Sequence, residues 1–346
     1  MQAWIPSLMR AVGGVCLVAA LAGQAPPAAA QGGPIIEAIR ARGALVCGTN
    51  TNLAGFAQPD NRGVWHGFEV DYCKAIAAAV LGDANKVRFV ATTAETGFQA
   101  LRAGSVDVLA RNTTWTLSRD SDLAVDFAGI NLYDGQGFMV RAGFPARTAR
   151  DLNEAKICVQ PGTTTERNLV DWAASQRLIF TTVTVDRPDE VAAAFNTRRC
   201  DAYTTDISGL AAIRAALPRP REVVILPDVI TKEPLGLAVR HGDQNFTDLV
   251  RWIHFGLVGA EELGISAASV QQSLASDVRP EVQRMLGRTG DFGRMFGLEN
   301  GWLVNVLRAV GNYGEVFERN LAPIGLQRGP NELWTNGGLQ YSPPFR

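Results

Sequence analysis

The 346-residue chain has few histidines: His66, His241 and His254, far apart in sequence. Without paired Cys or His at ligand spacing, no structural zinc site is expected. An excess of either charge is missing too, since 33 Lys and Arg stand against 34 Asp and Glu, a net −1. That balance leaves no basic footprint for nucleic acid and no polybasic membrane patch, which points to a small partner. GxSxG, GxGxxG and P-loop spacings are absent, and no histidine lies within the polar motifs described below. No catalytic residue, metal ligand or cofactor site is therefore expected. After residue 30 no segment reaches the roughly 20 apolar residues that a spanning helix requires.

The first thirty residues differ from the rest. Arg10 precedes an apolar run from Ala11 to Gly23, and Ala28-Ala29-Ala30 supplies small residues before Gln31. Residues 1–30 read as a secretory signal cleaved near Ala30. Cys16 follows Gly13-Gly14-Val15 and makes a poor lipid-attachment site, so the mature chain is expected to be exported and unanchored. In an oxidising compartment the four remaining cysteines, Cys47, Cys73, Cys158 and Cys200, suggest disulfides, with three pairings open.

Two segments echo each other. The first runs from Cys47-Gly-Thr-Asn50 through a helix (Phe68 to Val80), a strand (Lys86 to Val90) and a helix (Glu95 to Ala103) into GSVDVLARNTT. The second runs from CVQPGTTT through a helix (Glu166 to Ser175), a strand (Ile179 to Val185) and a helix (Pro188 to Asn196) into RRCDAYTTD. Apolar residues at helical spacing alternate with β-branched runs, the pattern of βαβ units around parallel strands. Each copy carries Asp at the start of its last strand, Asp107 or Asp201, and a polar residue five positions on, Asn112 or Asp206. Two α/β lobes are expected, with a ligand cleft facing the carboxyl ends of their strands. The links are placed at GQGFMVR (Gly135 to Arg141) and PLGLAVR (Pro234 to Arg240), which makes the second lobe an insertion. The division is 31–141 with 237–275 for lobe 1, 142–236 for lobe 2, and a C-terminal extension over 276–346 whose helices pack on the lobes. The final LWTNGGLQYSPPFR is expected to drape over the surface.

Thr163 followed three residues later by Glu166 is a capping box, so a helix starts at Gly162-Thr163-Thr164-Thr165 and its free amides favour an anion. No Lys follows the threonines, which disfavours phosphate. Taken alone, such a box more often just starts a surface helix. In the other half, Asn112, Thr114 and Arg119 make a carboxylate receptor, Arg supplying paired hydrogen bonds; the blander reading pairs Arg119 with Asp120 or Asp122 on the surface. Asp206 suits an α-ammonium, or merely caps the helix-like run from Ile207. Trp65, Phe68 and Trp115 line the cleft or fill a core, with core favoured for Phe68. Together these groups suit a zwitterion.

At these residues the sequence resembles the periplasmic family 3 solute-binding proteins of polar amino-acid ABC transporters, most of all the general L-amino-acid-binding subfamily. The carrying motifs are GTNTNLAGF (48–56), GFEVDYCKAIAAAV (67–80), GSVDVLARNTTWTLSRD (104–120), DGQGFMV (134–140), CVQPGTTTE (158–166) and RCDAYTTDISGL (199–210). KEPLGLAVR (232–240), AVGNYGEVFERN (309–320) and LWTNGGLQYSPPFR (333–346) continue it, over essentially the whole mature chain. The resemblance implies an α/β, type II periplasmic-binding-protein fold, two lobes on a two-strand hinge. It implies Arg119 as the carboxylate-binding arginine, Thr114 and Asn112 as strand-end groups, Thr164 with the amides of Thr163 and Thr165 completing that site, and Asp206 as ammonium acceptor. Asn50 stands where cationic-amino-acid binders of the wider family have an Asp, and Leu53 replaces a frequent aromatic, in keeping with a broad range of L-amino acids. The implied partners are the ligand and the permease subunits of an ABC importer, the implied state a monomer in the periplasm without cofactor. Pairing by lobe, Cys47 with Cys73 and Cys158 with Cys200, is also implied. Rivals are a cyclohexadienyl dehydratase-like enzyme on the same fold and a binding protein that serves a sensor.

Overall fold

The computed structural model describes residues 1–2, 32–50, 52–187 and 190–346. The expected leader lies outside the described residues except for its first two positions, as does the expected helix start at Pro188. From the amino end come α1 (Pro34–Arg42), β1 (Leu45–Thr49), a ribbon of β2 (Gln58–Pro59) and β3 (Trp65–His66), α2 (Phe68–Leu81), β4 (Val87–Ala91) and α3 (Ala94–Arg102). Next are β5 (Val108–Ala110), α4 (Leu117–Asp122), β6 (Val125–Phe127), β7 (Leu132–Arg141), β8 (Lys156–Val159), α5 (Thr164–Gln176) and β9 (Thr181–Thr184). The chain continues through α6 (Glu190–Asn196), β10 (Ala202–Asp206), α7 (Ile207–Ala216), β11 (Val223–Ile225), β12 (Thr231–Leu235) and β13 (Ala238–Arg240). It ends with α8 (Gln244–Glu262), α9 (Val270–Ser276), α10 (Pro280–Met285), α11 (Trp302–Val310) and α12 (Tyr313–Asn320).

Local chemistry sets these boundaries. Thr93 caps α3 by accepting the Thr96 amide while the Thr96 hydroxyl accepts the Thr93 amide, and Ala94, Gly97 and Leu101 form its buried stripe. α2 is apolar around most of its circumference because a sheet lies on one side and α11 on the other. It stops at Gly82, whose φ of +68° is left-handed.

Besides the β2–β3 ribbon, the described residues form two larger sheets, ordered β4-β1-β5-β13-β6 and β11-β7-β10-β8-β9, with β12 beside β7. β1 runs parallel to β4 and β5, and β8 runs parallel to β9 and β10; β13 and β7 are the antiparallel neighbours. The sequence echo is therefore a structural repeat, with β1, β4 and β5 matching β8, β9 and β10. The echoed aspartates do the same work. Asp107 accepts from the Val46 amide and pairs with Arg42, and Asp201 accepts from the Lys156 amide and pairs with Arg141. Each pins the start of one parallel strand to the next. The disulfides are Cys47–Cys73 and Cys158–Cys200, one in each half.

The first crossing is displaced from its expected link, whereas the second falls within Pro234–Arg240. Gly135–Arg141 is paired along its length with β10 and β12, so it belongs to the second sheet. The chain crosses at 128–131, ahead of Gly135, and at 236–237, where the Ala128 amide donates to Leu237 (3.0 Å) and the Asn131 amide to Leu235 (2.9 Å). These strands touch backbone to backbone, and a Cβ on Gly236 would lie 2.2 Å from the Gly129 carbonyl.

The C-terminal helices join the core of the first half through Trp302, Leu303, Leu307, Tyr313 and Phe317. Asp71 of α2 accepts from Arg319 (2.6 Å) and Asn320 (2.7 Å) of α12. The tail also reaches the hinge, where the Asn331 amide takes both backbone groups of Tyr133 and the Tyr313 hydroxyl donates to Asn131. The last segment is less superficial than its turn-rich composition suggests, because Gln340 and Phe345 are buried and Phe345 packs on Trp252.

Candidate ligand-binding site

A pocket lies between the carboxyl ends of β1 and β5 on one side and of β8 and β10 on the other. In each sheet these adjacent strands are the point where the chain switches direction across the sheet, which leaves a crevice at their ends. All eight sequence-predicted residues line it: Asn50, Asn112, Thr114 and Arg119 from the first half, Thr163, Thr164, Thr165 and Asp206 from the second.

The first-half loop is stitched to the hinge. Trp115 N–H donates to Pro234 (2.8 Å) and Gly236 N–H to Thr113 (3.0 Å). Asn112 is left-handed at φ +48°, donates its amide to Glu69 Oε1 (3.1 Å) and accepts from the Asn50 side chain (2.7 Å). Arg119, one turn into α4, donates from Nη1 to the Thr114 carbonyl (2.9 Å) and lies over the Phe98 ring at 5.3 Å. Among the described residues it has no ion pair, so the surface pairing with Asp120 or Asp122 does not form. Burial pulls its pKa down, and Glu233 and Asp206 pull it up.

On the other side Thr163 caps α5 by accepting the Glu166 amide, and the Glu166 carboxylate reaches back to the Gly162 amide (2.9 Å). The amides of Thr164 and Thr165 open the first turn, where no helix carbonyl can accept from them. Asp206 ends β10 at the position before α7, yet its side chain makes no capping bond. It is 8% exposed, and no hydrogen bond among the described residues reaches its carboxylate. Burial holds its pKa well above the carboxylate range, as do Asp134 and Glu233, with Arg119 and Arg111 opposing. An ionised acceptor in that setting lacks a cation.

Two residues carry more of the site than sequence reasoning assigned. Glu233 of β12 is fully buried and accepts from Thr114 Oγ1 (2.6 Å), Thr164 Oγ1 (2.9 Å), Asn168 (2.6 Å) and Thr231 (3.1 Å). With Thr114 and Thr164 hydroxyls 3.2 Å apart, it bonds both sides of a closed cleft. Each hydroxyl has one proton, so both are engaged by Glu233, leaving amides and guanidinium groups for a ligand carboxylate. Arg111 follows β5 directly, lines the pocket and is 9% exposed. Burial, then Arg119, lowers it to about 10, so it stays charged at neutral pH. Phe98 and Tyr203 are the aromatic lining; Trp65 stacks instead on Phe89 and Trp115 on Phe127, and Phe68 is core. No cluster of His, Cys, Asp or Glu among the described residues suits a metal ion.

Residues 45–268 match the family model of the bacterial extracellular solute-binding proteins, family 3. The chain is 50% identical over 337 residues to the glutamate/glutamine/aspartate/asparagine-binding protein of Rhodobacter capsulatus, covering 96% of this chain and 98% of that protein. It is 48% identical to the general L-amino acid-binding periplasmic protein of Rhizobium johnstonii, over 92% of this chain and 95% of the relative. Among solved structures, an ABC transporter periplasmic binding protein from Brucella ovis with glutathione bound superposes with a TM-score of 0.87. It shares 48% identity and covers 90% of this chain and 99% of that one.

Proposed function

The chain belongs to the bacterial extracellular solute-binding proteins of family 3, and we propose that it is the periplasmic receptor of an ABC importer, capturing L-amino acids and handing them to the membrane permease. The observation that carries this reading is the opposition, across one pocket lined from both halves, of Arg119 and an Asp206 carboxyl that accepts no hydrogen bond among the described residues. Arg119 and the Thr164 and Thr165 amides take the α-carboxylate, and Asp206 takes the α-ammonium, with charge-assisted bonds at both ends. Residues 1–30 act as the export leader, and closure on the ligand presents the form that the permease recognises. Glutathione, bound by the Brucella relative, offers the same α-ammonium and α-carboxylate at its γ-glutamyl end.

Asp206 is the sole carboxylate of the pocket lining among the described residues. With that group engaged by an ammonium, no lining acid remains to protonate a leaving hydroxyl, which disfavours the dehydratase reading. The test is a thermal-shift screen of the unfolded, ligand-stripped and refolded mature chain against the twenty L-amino acids. A ligand at ~1,000 times its dissociation constant adds about 4 kcal/mol of stability; no shift with any of them rejects the proposal.

A further inference from the structure

We propose that Arg111 forms a second anion subsite in this cleft, so that the receptor favours L-amino acids bearing a second carboxylate, glutamate and aspartate above all. The inference rests on the reading that Arg119 and Asp206 hold the α-carboxylate and α-ammonium.

Arg111 is more than nine-tenths buried and lines the pocket. Its Nε donates to the Thr92 carbonyl (3.2 Å), which fixes the guanidinium plane, while its two terminal nitrogens donate to no described residue. Among the described residues no carboxylate comes within ion-pair distance of it. A buried guanidinium without a counter-ion is costly, and the cost falls when an anion arrives with good geometry.

The neighbouring acids do not fill that role. Glu69 stands closest in chemistry, but one of its oxygens accepts the Asn112 amide and burial raises it to about 7, so at neutral pH it carries only part of a charge. Asp206 lines the same pocket and is committed to the ammonium. Glu233 is saturated by four donors. Of the lining residues, then, Arg111 and Arg119 are cationic, and Asp206 is the single carboxyl group, ionised when an ammonium engages it. A dicarboxylic amino acid has the mirror of that set, two anions and one cation. A neutral amino acid leaves Arg111 unpaired.

The test is calorimetry of the ligand-stripped mature chain with L-glutamate, its γ-methyl ester and L-leucine. The wild type is expected to bind glutamate roughly 10- to 100-fold more tightly than the γ-ester, the worth of about one charged hydrogen bond. Equal affinities overturn the proposal, and this comparison needs no variant to fold. In Arg111→Met the ratio of glutamate to leucine affinity should fall by a similar factor, with Arg111→Lys restoring part of it. A merely structural arginine would weaken both ligands alike and keep the ratio, which also overturns the proposal. A wild type that binds neither glutamate nor leucine fails the underlying reading itself.

Discussion

At the carboxyl end of β5 the first half presents Arg111, Asn112 and, further on, Arg119; at the equivalent end of β10 the second half presents Asp206. The two ends are built alike. Asp107 and Asp201 pin the strands through the same backbone bond, and the polar residue follows five positions later in each. Their chemistry is opposite, because one copy offers guanidinium groups and the other a carboxyl group. A repeat with identical ends would face like groups across its cleft, whereas this divergence suits a molecule with separated charges. The disulfides diverge as well: Cys47 and Cys158 occupy matching strands, but their partners are a helix residue, Cys73, and a residue ahead of β10, Cys200.

The comparison breaks most directly at its charged ends. Arg119→Ala should cost about 3–6 kcal/mol of ligand binding, two charge-assisted hydrogen bonds, and calorimetry should show affinity down by at least about 100-fold. A variant that binds within threefold of wild type would put the anion site elsewhere. Next come the disulfides. Replacing Cys47 and Cys73, or Cys158 and Cys200, by serine should lower unfolding free energy by about 3–4 kcal/mol, with the larger loss in the second half, where the bond spans 42 residues against 26. Urea denaturation measures both, and a loss confined to one half would show that the two are not stapled alike.

Glu233→Gln tests the contact that joins the halves. It exchanges charge-assisted bonds for neutral ones and should cost about 1–3 kcal/mol. Small-angle scattering of the ligand-free variant should show a larger radius of gyration than wild type; an unchanged radius and stability would leave Glu233 without a role in closure. The last effect is spread over pH. Burial raises Glu69 to about 7 and Asp134 to about 6, so the folded protein holds protons that the unfolded chain releases. Their contribution is fully present below about pH 3.8 for Asp134 and 4.5 for Glu69 and is lost as pH rises through about 6 and 7 respectively, at up to about 1.4 kcal/mol per pH unit per group. Glu69→Gln should flatten that decline, and an unaltered stability–pH curve would contradict the assignment.

Much of this was legible where the signal is local. Thr163 caps α5 as its spacing to Glu166 predicts, although Glu166 reaches back to Gly162 rather than closing the box on Thr163, the Asp107 and Asp201 echo marks the two strand starts, and the motif resemblance carries Arg119 to its place in the pocket. The cysteine pairing needed that resemblance, since spacing left three choices. Arg111 was missed because its meaning lies in burial: next to Asn112 it reads as one more polar residue at a strand end. Glu233 sits between Lys232 and Pro234, a surface-like context, and meets Thr114 across 119 positions of sequence. The link at Gly135–Arg141 was misplaced because Gly and β-formers suit a sheet strand and a crossing strand equally; only pairing with β10 and β12 decides.

The central claim is that a zwitterion bridges Arg119 and Asp206. Calorimetry of the ligand-stripped mature chain with L-glutamate, N-acetyl-L-glutamate and the α-amide of L-glutamate tests it directly. The account predicts measurable binding of glutamate and roughly 100-fold weaker binding of each derivative, one having lost its ammonium and the other its α-carboxylate. Derivatives that bind as tightly as glutamate would contradict it.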